Sequence, residues 1–403
     1  MKAVICGAGI AGLALAARLA QGGWQVTVLE SAPALHNEGY VVDLFGSGFE
    51  AARRMSLMSA LRPMSYAFDA VRWVTAAGRT SARLPWRVPL TLFEDKLISL
   101  LRGDLQRAVL EQLPSTVELR FNQFVSQVRA PVGAIEVHLH GGDVERADVL
   151  IGADGIHSRV RDLVFGDGAS WSRFLGFHTA AFVMDGAQEL DDELKNELHI
   201  VSVPGRQVML YPLRDGQVAA TFVRRAAQGV PPRSPHEALV EAFGDLGWRV
   251  PYVLERARTL QVAYEQVGQV VIAHWTRGRI ALLGDACQAV TLLPGQGASL
   301  SLAAAFVLGE ELTRNEDVKV ALERYEHRVR PPLIQMRRAG RRTADWLVPS
   351  SPTRLMARNA LLRLASRPGF ARLLRPVVEA AREDVLSYGV DNPIRIPGRS
   401  NAH

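Results

Sequence analysis

The order of apolar and polar residues along the chain predicts alternating buried strands and helices from the N-terminus onward. Ala3–Cys6 is an apolar run, a glycine turn follows, and Ile10–Gln21 has the 3.6-residue period of a helix. Val26–Glu30 is a second buried run. A strand, a tight turn, a helix and another strand make half of a mononucleotide-binding unit, so we expect a parallel sheet here.

The pattern is mixed between this first unit and residue 172. The apolar positions of Leu97–Leu113 recur at helical spacing, and Val149–Ile151 predicts a buried strand. Val117–Phe121 and Ile135–His140 alternate apolar and polar residues, which predicts two strands of a small antiparallel addition.

A different pattern follows between about residues 173 and 267. Val208–Leu213 and Val218–Arg224 alternate, and Arg214-Asp215-Gly216 between them is a turn signal, which predicts a hairpin in an antiparallel second lobe. Arg279–Leu283 then predicts a buried strand, and Gln296–Leu312 predicts a long helix of small residues. The chain therefore returns to the first lobe.

From Val318 onward the sequence is helical in period and rich in arginine, and Pro331-Pro332, Pro349 and Pro352 predict breaks between separate helices. The predicted fold class is α/β, with a Rossmann-like domain, an interleaved antiparallel-sheet domain and C-terminal helices. The predicted boundaries are 1–172 and 268–330 for the two parts of the first domain, 173–267 for the second domain, and 331–403 for the C-terminal helices.

Composition adds limits rather than a function. The chain has 403 residues, 47 basic and 41 acidic side chains, and a formal net charge of +6, a modest excess that does not require nucleic-acid binding. The simplest interpretation of this excess is a solvated basic surface, although the positive charge would also attract an anionic cofactor or an acidic substrate.

No apolar run is long enough to cross a bilayer, and the N-terminus is not typical of a signal peptide. We therefore expect a cytoplasmic protein without a transmembrane segment. We also expect it to be a monomer or a homodimer. The two cysteines, Cys6 and Cys287, predict neither a disulfide framework nor a metal site.

The first glycine motif has the spacing of a dinucleotide site. Gly7 permits the tight turn, Gly9 lets backbone amides approach a pyrophosphate, and Gly12 allows the helix to pack closely on the strand. The amides of Ile10 and Ala11 belong to the same helix N-terminus, which favours an anion. Glu30, 18 residues after Gly12, is placed to accept hydrogen bonds from an unphosphorylated adenosine ribose.

Two further glycine motifs follow predicted strands. In Gly152-Ala153-Asp154-Gly155 a turn presents a carboxylate, and Ser158 is a candidate N-cap for the next helix. Gly284-Asp285-Ala286 places a carboxylate at the end of a buried strand, where Asp285 can accept a hydrogen bond from a ligand hydroxyl. Pro294-Gly295-Gln296-Gly297-Ala298-Ser299 then leads into a helix whose first amides can face a polar or anionic ligand.

These three motifs, in this order and at these separations, resemble those of the single-component FAD monooxygenases, the aromatic hydroxylases, over about the first 330 residues. The resemblance implies a para-hydroxybenzoate hydroxylase-like fold with FAD between the lobes, nearer the tetracycline-inactivating and polyketide-tailoring branches. It places Asp154 near the FAD pyrophosphate and Asp285 where its carboxylate would accept from a ribityl hydroxyl. It also implies that the amides of the helix after Pro294 face the pyrimidine edge of the flavin. It also places Arg102 and Gln106, from an arginine-x-aspartate-leucine helix, near the FAD phosphates and ribose, and Asp43 near the flavin ring.

The chain departs from the family at Cys287 and Gln288, which stand where alanine and histidine are common. We interpret Cys287 as a small buried residue, because no histidine is adjacent to activate it. Tyr211, Phe222 and Pro294 are candidates for substrate binding, and packing is the alternative role for the two aromatic residues. No acid–base residue is predicted, since the oxidant in this family is a flavin hydroperoxide.

The resemblance implies a FAD-dependent monooxygenase that uses NADH or NADPH as a transient electron donor and O2 to hydroxylate an aromatic or polyketide-like molecule. A flavin reductase or halogenase is an alternative, although Trp86-Arg87-Val88-Pro89 lacks the second tryptophan of the halogenase signature. An alternative of another class is a non-catalytic flavoprotein that binds a partner or an anionic membrane surface through its basic C-terminal helices.

Overall fold

The computed structural model of the chain describes residues 1–35, 40–166, 171–227, 232, 234–289, 296–379 and 385–388. Its strands are β1 Lys2–Cys6, β2 Gln25–Leu29, β3 Val41–Phe45, β4 Ala70–Val74, β5 Thr80–Pro85, β6 Leu97–Leu101, β7 Val117–Arg120, β8 Val125–Arg129, β9 Ile135–Leu139, β10 Val144–Ala147, β11 Val149–Gly152, β12 Ser172–Met184, β13 Glu197–Val203, β14 Arg206–Pro212, β15 Val218–Arg225, β16 Ala263–Val270, β17 Thr276–Arg277 and β18 Ile280–Leu282.

The helices lie between these strands along the chain, and they pack on both lobes. They are α1 Ile10–Gln21, α2 Gly46–Arg54, α3 Met58–Leu61, α4 Arg87–Leu92, α5 Arg102–Glu111, α6 Arg159–Phe165, α7 Gln188–Leu194, α8 Pro235–Phe243, α9 Val250–Ala257, α10 Asp285–Gln288, α11 Gln296–Arg314, α12 Val318–Leu347, α13 Pro352–Ala365 and α14 Arg375–Glu379.

A six-stranded sheet in the order β17-β18-β11-β1-β2-β7 forms the first lobe. Strands β1, β2, β11, β18 and β7 are parallel, and β17 pairs antiparallel at one edge. Helices α1 and α11 contribute most of their side chains to the core beside it. The predicted parallel sheet and the strand at Arg279–Leu283 are confirmed.

Two predictions in this lobe were wrong. Val117–Phe121 does not join an antiparallel addition: it supplies β7, parallel to β2, because Val117 and Leu119 pack on the main core. Leu97–Leu113 is not one helix, since Leu97–Leu101 is strand β6, paired antiparallel with β3, and helix α5 begins at Arg102. An uninterrupted apolar run such as Leu97–Leu101 is compatible with either a strand or a helix. Here the pairing with β3 makes it a strand. Ile135–His140 does lie in an antiparallel sheet, β10-β9-β8.

The second lobe is a seven-stranded sheet in the order β16-β12-β15-β14-β13-β4-β5. The hairpin predicted around Arg214-Asp215-Gly216 is confirmed: β14 pairs antiparallel with β15, and Met209 lies opposite Thr221. Strands β4 and β5, within 70–85, join this sheet from outside the predicted 173–267 segment. The domain boundaries themselves remain a prediction.

Helix α12 contradicts the predicted break at Pro331-Pro332, because it runs through both prolines from Val318 to Leu347. Tyr325, Val329, Leu333 and Met336 are buried on one face across that region. Each proline destabilises a helix interior by about 3 kcal/mol, because it lacks a backbone donor and clashes with the preceding turn. The free energy gained by burying these four side chains outweighs that cost. The later break is confirmed, since α12 ends at Leu347 and α13 begins at Pro352.

No helix in the described part of the chain is both long and apolar enough to cross a membrane.

Candidate active site

The turn from β1 to α1 forms a backbone cradle. Gly7 has φ +106°, and a Cβ there would overlap the carbonyl oxygen of Ala153. A Cβ on Gly9 would meet nothing within 4 Å, so the space beside that residue is open. No side chain caps the N-terminus of α1. The first amides of the helix are therefore presented to open space, as an anion-binding turn requires.

Glu30 is fixed beside this turn at the end of β2. Its Oε2 accepts a hydrogen bond from the Ala8 amide at 2.8 Å, and its Oε1 accepts from the Ala32 amide at 2.9 Å. The carboxylate thus helps hold the cradle in shape. Its role toward a ribose stays a prediction.

The second motif lies directly against the first. The Ala153 amide donates to the carbonyl of Cys6 at 2.7 Å. Asp154 accepts from Ser158 Oγ at 2.5 Å and from the Val160 amide at 3.0 Å, and burial raises the pKa of Asp154. Ser158 also accepts from the Arg161 amide, which confirms the predicted N-cap.

The third motif completes the same edge of the sheet. The Leu283 amide donates to the carbonyl of Gly152 at 2.9 Å. A Cβ on Gly284 would press against Ala11 in α1, so this turn packs on the first helix. Asp285 follows directly, and burial raises the pKa of its carboxyl while the charge of Arg102 lowers it. The three motifs therefore converge at the carboxyl ends of β1, β11 and β18, where ligands bind in parallel sheets.

Helix α5 reaches the cradle from the other side. Gln106 Nε2 donates to the carbonyl of Ala8 at 2.6 Å. Gln106 Oε1 and Gln296 Oε1 are buried and have no hydrogen-bond partner in the described chain. Because buried polar atoms are normally hydrogen-bonded, these two oxygens point to a polar ligand that the chain itself does not supply.

Asp43 connects β3 to the start of α11. Its Oδ1 accepts from Ser99 Oγ at 2.5 Å, and its carbonyl accepts from Ser299 Oγ at 3.0 Å. The Phe45 amide donates to the same Ser299 hydroxyl at 3.2 Å. Burial raises the pKa of Asp43 to about 6, although the Ser99 hydrogen bond opposes the shift.

A cavity of about 320 Å³ lies between the two lobes. Asp43, Asp285 and Gly297 line it from the first lobe, and Met209 and Thr221 line it from the seven-stranded sheet. Its lining also contains three aromatic side chains that pack edge to face, with Phe68 at 5.4 Å from Trp86 and 6.3 Å from Tyr211 between ring centroids. The volume is at the lower end of small-molecule pockets, about 300–1000 Å³.

The two aromatic substrate candidates lie on opposite faces of the sheet. Tyr211 lines the cavity, and its hydroxyl accepts from the Val41 amide at 3.0 Å. Phe222 is buried in the core on the other face, against Phe182 and Phe243, and is not among the lining residues, so its assignment to substrate is corrected. Side chains alternate along a strand, and the cavity face of β15 carries Thr221 and Val223 instead.

Of the other predicted residues, Gly297 lines the cavity and Ala298 and Ser299 follow it in the first turn of α11. Pro294 and Gly295 lie outside the described residues. Sequence reasoning missed Phe68, Trp86 and Thr221. The alternation of side chains along β15 could have indicated that Thr221 faces the cavity. Phe68 and Trp86 lie in segments without strand or helix periodicity, so the sequence did not indicate where their side chains point.

Cys287 and Gln288, the two departures from the family, face α12 rather than the cavity. Cys287 is fully buried and free, and burial raises the pKa of its thiol, which agrees with its interpretation as a small buried residue. Gln288 Nε2 donates to the Tyr325 hydroxyl at 2.8 Å, and that hydroxyl donates to the Leu282 carbonyl at 3.0 Å. These hydrogen bonds therefore hold the third glycine motif against helix α12.

The open space at Gly9, the uncapped helix and the two unpartnered glutamine oxygens fit a dinucleotide cofactor, and the cavity beside them fits a small organic molecule. Fold and site together define a two-lobed, dinucleotide-binding protein with a cavity for a small molecule beside the dinucleotide site. The family described as an FAD binding domain matches residues 1–338, and the chain belongs to that family.

Individual relatives agree with this assignment. The FAD-dependent monooxygenase asL4 of Sarocladium schorii is 27% identical over 330 residues, 78% of this chain and 76% of that protein. The 3-hydroxybenzoate 6-hydroxylase 1 of Aquipseudomonas alcaligenes is 27% identical over 373 residues, 89% of this chain and 92% of that protein. The crystal structure of tetracycline destructase Tet(51) superimposes with a TM-score of 0.75 at 25% identity, covering 91% of this chain and 96% of the other. The protein is an FAD-dependent monooxygenase, and the predicted family, fold class and cofactor FAD are confirmed.

Proposed function

We propose that the protein uses NADH or NADPH and O2 to hydroxylate an aromatic small molecule bound between its lobes. The observation that supports this most directly is the cavity, because residues of the flavin motifs and an aromatic wall line the same space. Phe68, Trp86 and Tyr211 offer ring faces and edges to an aromatic substrate. The named hydroxylase relative acts on an aromatic compound, which agrees with this choice.

We expect FAD to be held by the residues that converge at the sheet edge. Bound FAD would supply two-electron redox chemistry and the activation of O2. The backbone of the first turn would bind its pyrophosphate, and the amides at the start of α11 would stabilise negative charge on the reduced ring. The residues proposed to contact FAD are Gly7, Gly9, Ile10, Ala11, Gly12, Glu30, Asp43, Arg102, Gln106, Asp154, Asp285, Gly295, Gly297, Ala298 and Ser299.

The chain's own groups would position the substrate and exclude water. The Tyr211 hydroxyl is oriented by the Val41 amide and lies 3.4 Å from Thr221 Oγ1, so the two hydroxyls form a fixed polar pair on the cavity wall. Such a group can orient a substrate hydroxyl, while the surrounding side chains keep water away from the reacting carbon.

The electron donor is proposed to bind transiently. The sequence contains one strand-linked GxGxxG motif, at Gly7–Gly12, and the proposed FAD site uses it. NADH or NADPH would therefore bind only briefly, donate its electrons to the flavin and dissociate.

The test combines cofactor content, NAD(P)H oxidation and isotope labelling. The purified holoenzyme is incubated under ¹⁸O2 with phenols, quinolines, anthraquinones and tetracyclines, and we expect one ¹⁸O atom in the product of an accepted substrate. Gly9→Val should lack FAD and activity. Gly141→Val, in an exposed turn with nothing within 4 Å, is the matched control and should retain both.

Three results would contradict the proposal in different ways. A halide-dependent product would indicate a halogenase, and a reduced alkene without label would indicate a reductase. If no compound accelerates NADH or NADPH oxidation, while anionic vesicles sediment the protein, a non-catalytic role is favoured.

A further inference from the structure

A second pocket, of about 500 Å³, lies where helix α12 meets the start of β12 and the end of β16. Among the described residues, none lines both this pocket and the cavity between the lobes. Four arginine side chains line it: Arg173 comes from β12, and Arg330, Arg337 and Arg338 come from α12. We call it the arginine pocket.

The spacing of the helix residues brings their charges together. Arg330, Ile334 and Arg337 follow one another at intervals of four and three residues, so they share one face of α12. Arg338 is adjacent to that face, and Arg173 lies opposite, on a strand that pairs with β16. Ile334 adds an apolar wall. The arginine pocket therefore combines concentrated positive charge with apolar surface.

Most of this charge has no acidic partner within the protein. In the part of the chain that the structure describes, Arg330 alone of the four pairs with a carboxylate, that of Glu326 at 3.3 Å. Arg173 and Arg338 are exposed, and their side chains form no ion pair or hydrogen bond there. An anion that enters the pocket would thus find guanidinium groups that are free to bind it.

Arg337 is the least compensated of the four arginines. Its guanidinium donates to the carbonyl of Val270 and, at 2.8 Å, to the carbonyl of Cys287. Its Nε is buried and has no hydrogen-bond partner in the described chain. Burial lowers the pKa of Arg337 to about 10, and the positive charge of Arg330 contributes to the shift. A largely desolvated cation without a carboxylate is costly, and a bound anion would relieve that cost.

We propose that the arginine pocket is a second ligand site, which binds a phosphate group. The planar fork of arginine matches the oxygens of phosphate, and a phosphate dianion can engage several guanidinium groups at once. A carboxylate has a single charge and two oxygens, so it would leave most of these arginines uncompensated. Trp171 and Ile334 would contact the organic part of a phosphorylated compound. The inference goes beyond the proposed function and does not depend on it.

The test is a calorimetric titration of the holoenzyme, freed of excess FAD, with inorganic phosphate at pH 8 and low ionic strength. Flavin absorbance checks that FAD stays bound. We expect one saturable phosphate site per chain, and about tenfold weaker binding of acetate. Arg173→Gln and Arg338→Gln should each weaken phosphate binding about fivefold, because each removes a positive charge from the lining. Both side chains are exposed and make no contacts that the fold needs, so both variants should fold.

Arg324→Gln is the matched control. Arg324 is exposed on the same helix and is not among the residues that line the pocket. Its removal changes the net charge equally, and the dissociation constant for phosphate should stay within about twofold of the wild type, since solvent and salt screen a remote charge.

A vesicle assay distinguishes the two sources of such a phosphate group. If vesicles of phosphatidylglycerol sediment the protein, inorganic phosphate reverses this, and both pocket variants weaken it, the group belongs to a lipid headgroup. If the protein binds phosphate but not these vesicles, the ligand is a soluble phosphorylated compound. Either result supports the site.

The inference is overturned if the wild type shows no saturable phosphate binding, or if Arg324→Gln weakens binding as much as the two pocket variants do. It is also overturned if phosphate displaces FAD, since the anion would then occupy the flavin site. None of these readouts requires turnover. A protein that binds phosphate in this pocket but incorporates no ¹⁸O would contradict the proposed function alone.

Discussion

Asp43 provides a quantitative test of the electrostatics of the site. Burial raises the pKa of its carboxyl from 3.8 to about 6, and the Ser99 hydroxyl donates to it at 2.5 Å. Tyr211 and Asp285 line the same cavity, and neither is a cation that would favour the ionised form. The fold therefore prefers protonated Asp43, so the carboxyl stabilises the protein at low pH and ceases to do so as the pH rises through about 6.

The size of the effect follows from the two pKa values. The contribution is complete below pH 3.8 and amounts to about 3 kcal/mol, of which about 2 kcal/mol is lost between pH 4.5 and pH 7.5. Asp43→Asn cannot ionise, and its amide oxygen can still accept from Ser99. The stability of Asp43→Asn relative to the wild type should therefore increase by about 2 kcal/mol over that interval.

Urea unfolding of the wild type and of Asp43→Asn at pH 4.5 and 7.5, with FAD in excess, measures this difference. The dissociation constant of FAD is determined for each protein at each pH, so that the contribution of cofactor binding can be subtracted. Asp143→Asn, an exposed carboxylate between β9 and β10, is the matched control. Its stability relative to the wild type should change by less than about 0.5 kcal/mol.

A relative stability of Asp43→Asn that stays constant with pH, or that falls as the pH rises, would refute the reasoning. The first result would mean that the Asp43 carboxyl is as well solvated in the folded protein as in the unfolded chain. The second would mean that a favourable charge interaction in the folded state exceeds the cost of burial.

The remaining predictions concern the glycine cradle and a buried ion-pair cluster. Gly9→Ala should fold normally and bind FAD at least about tenfold more weakly, measured by fluorescence titration, because its methyl group enters the open space of the cradle. Gly12→Ala should instead reduce folded yield, since a Cβ there would overlap a backbone oxygen; equal soluble yields would contradict this account. Arg328→Met should lower the free energy of unfolding by about 3–5 kcal/mol, because Arg328 pairs with buried Glu310 and Glu311 at 2.8 and 2.6 Å, and a loss below about 1 kcal/mol in urea unfolding would contradict it.

The backbone turns that meet at the carboxyl end of the first sheet could be predicted from the sequence, because they are local. The turn at Gly7 needs a residue without a Cβ, and the spacing to Gly12 and Glu30 follows from the length of one helix and one strand. The Ser158 cap and the hairpin at Arg214-Asp215-Gly216 also depend on a few adjacent residues. Contacts between positions this close in sequence leave a recognisable pattern of residue types.

The contacts of the predicted site residues with FAD and with a substrate remain predictions. The structure shows that the three motifs share one sheet edge, and it shows Tyr211 and Gly297 in the cavity lining. Pro294 and Gly295 lie outside the residues that it describes.

The sequence alone determined the backbone turns of the cofactor cradle and the succession of strands and helices in the first unit, because turn chemistry and periodicity act over a few residues. Only the tertiary structure decided which face of β14 and β15 lines the cavity, and hence that Tyr211 belongs to it and Phe222 to the core. It also decided that α12 continues through Pro331-Pro332 and that β4 and β5 join the distant sheet. Both faces of β14 and β15 are largely buried. Burial and strand pairing depend on partners far away in the sequence, so the local pattern could not distinguish the alternatives.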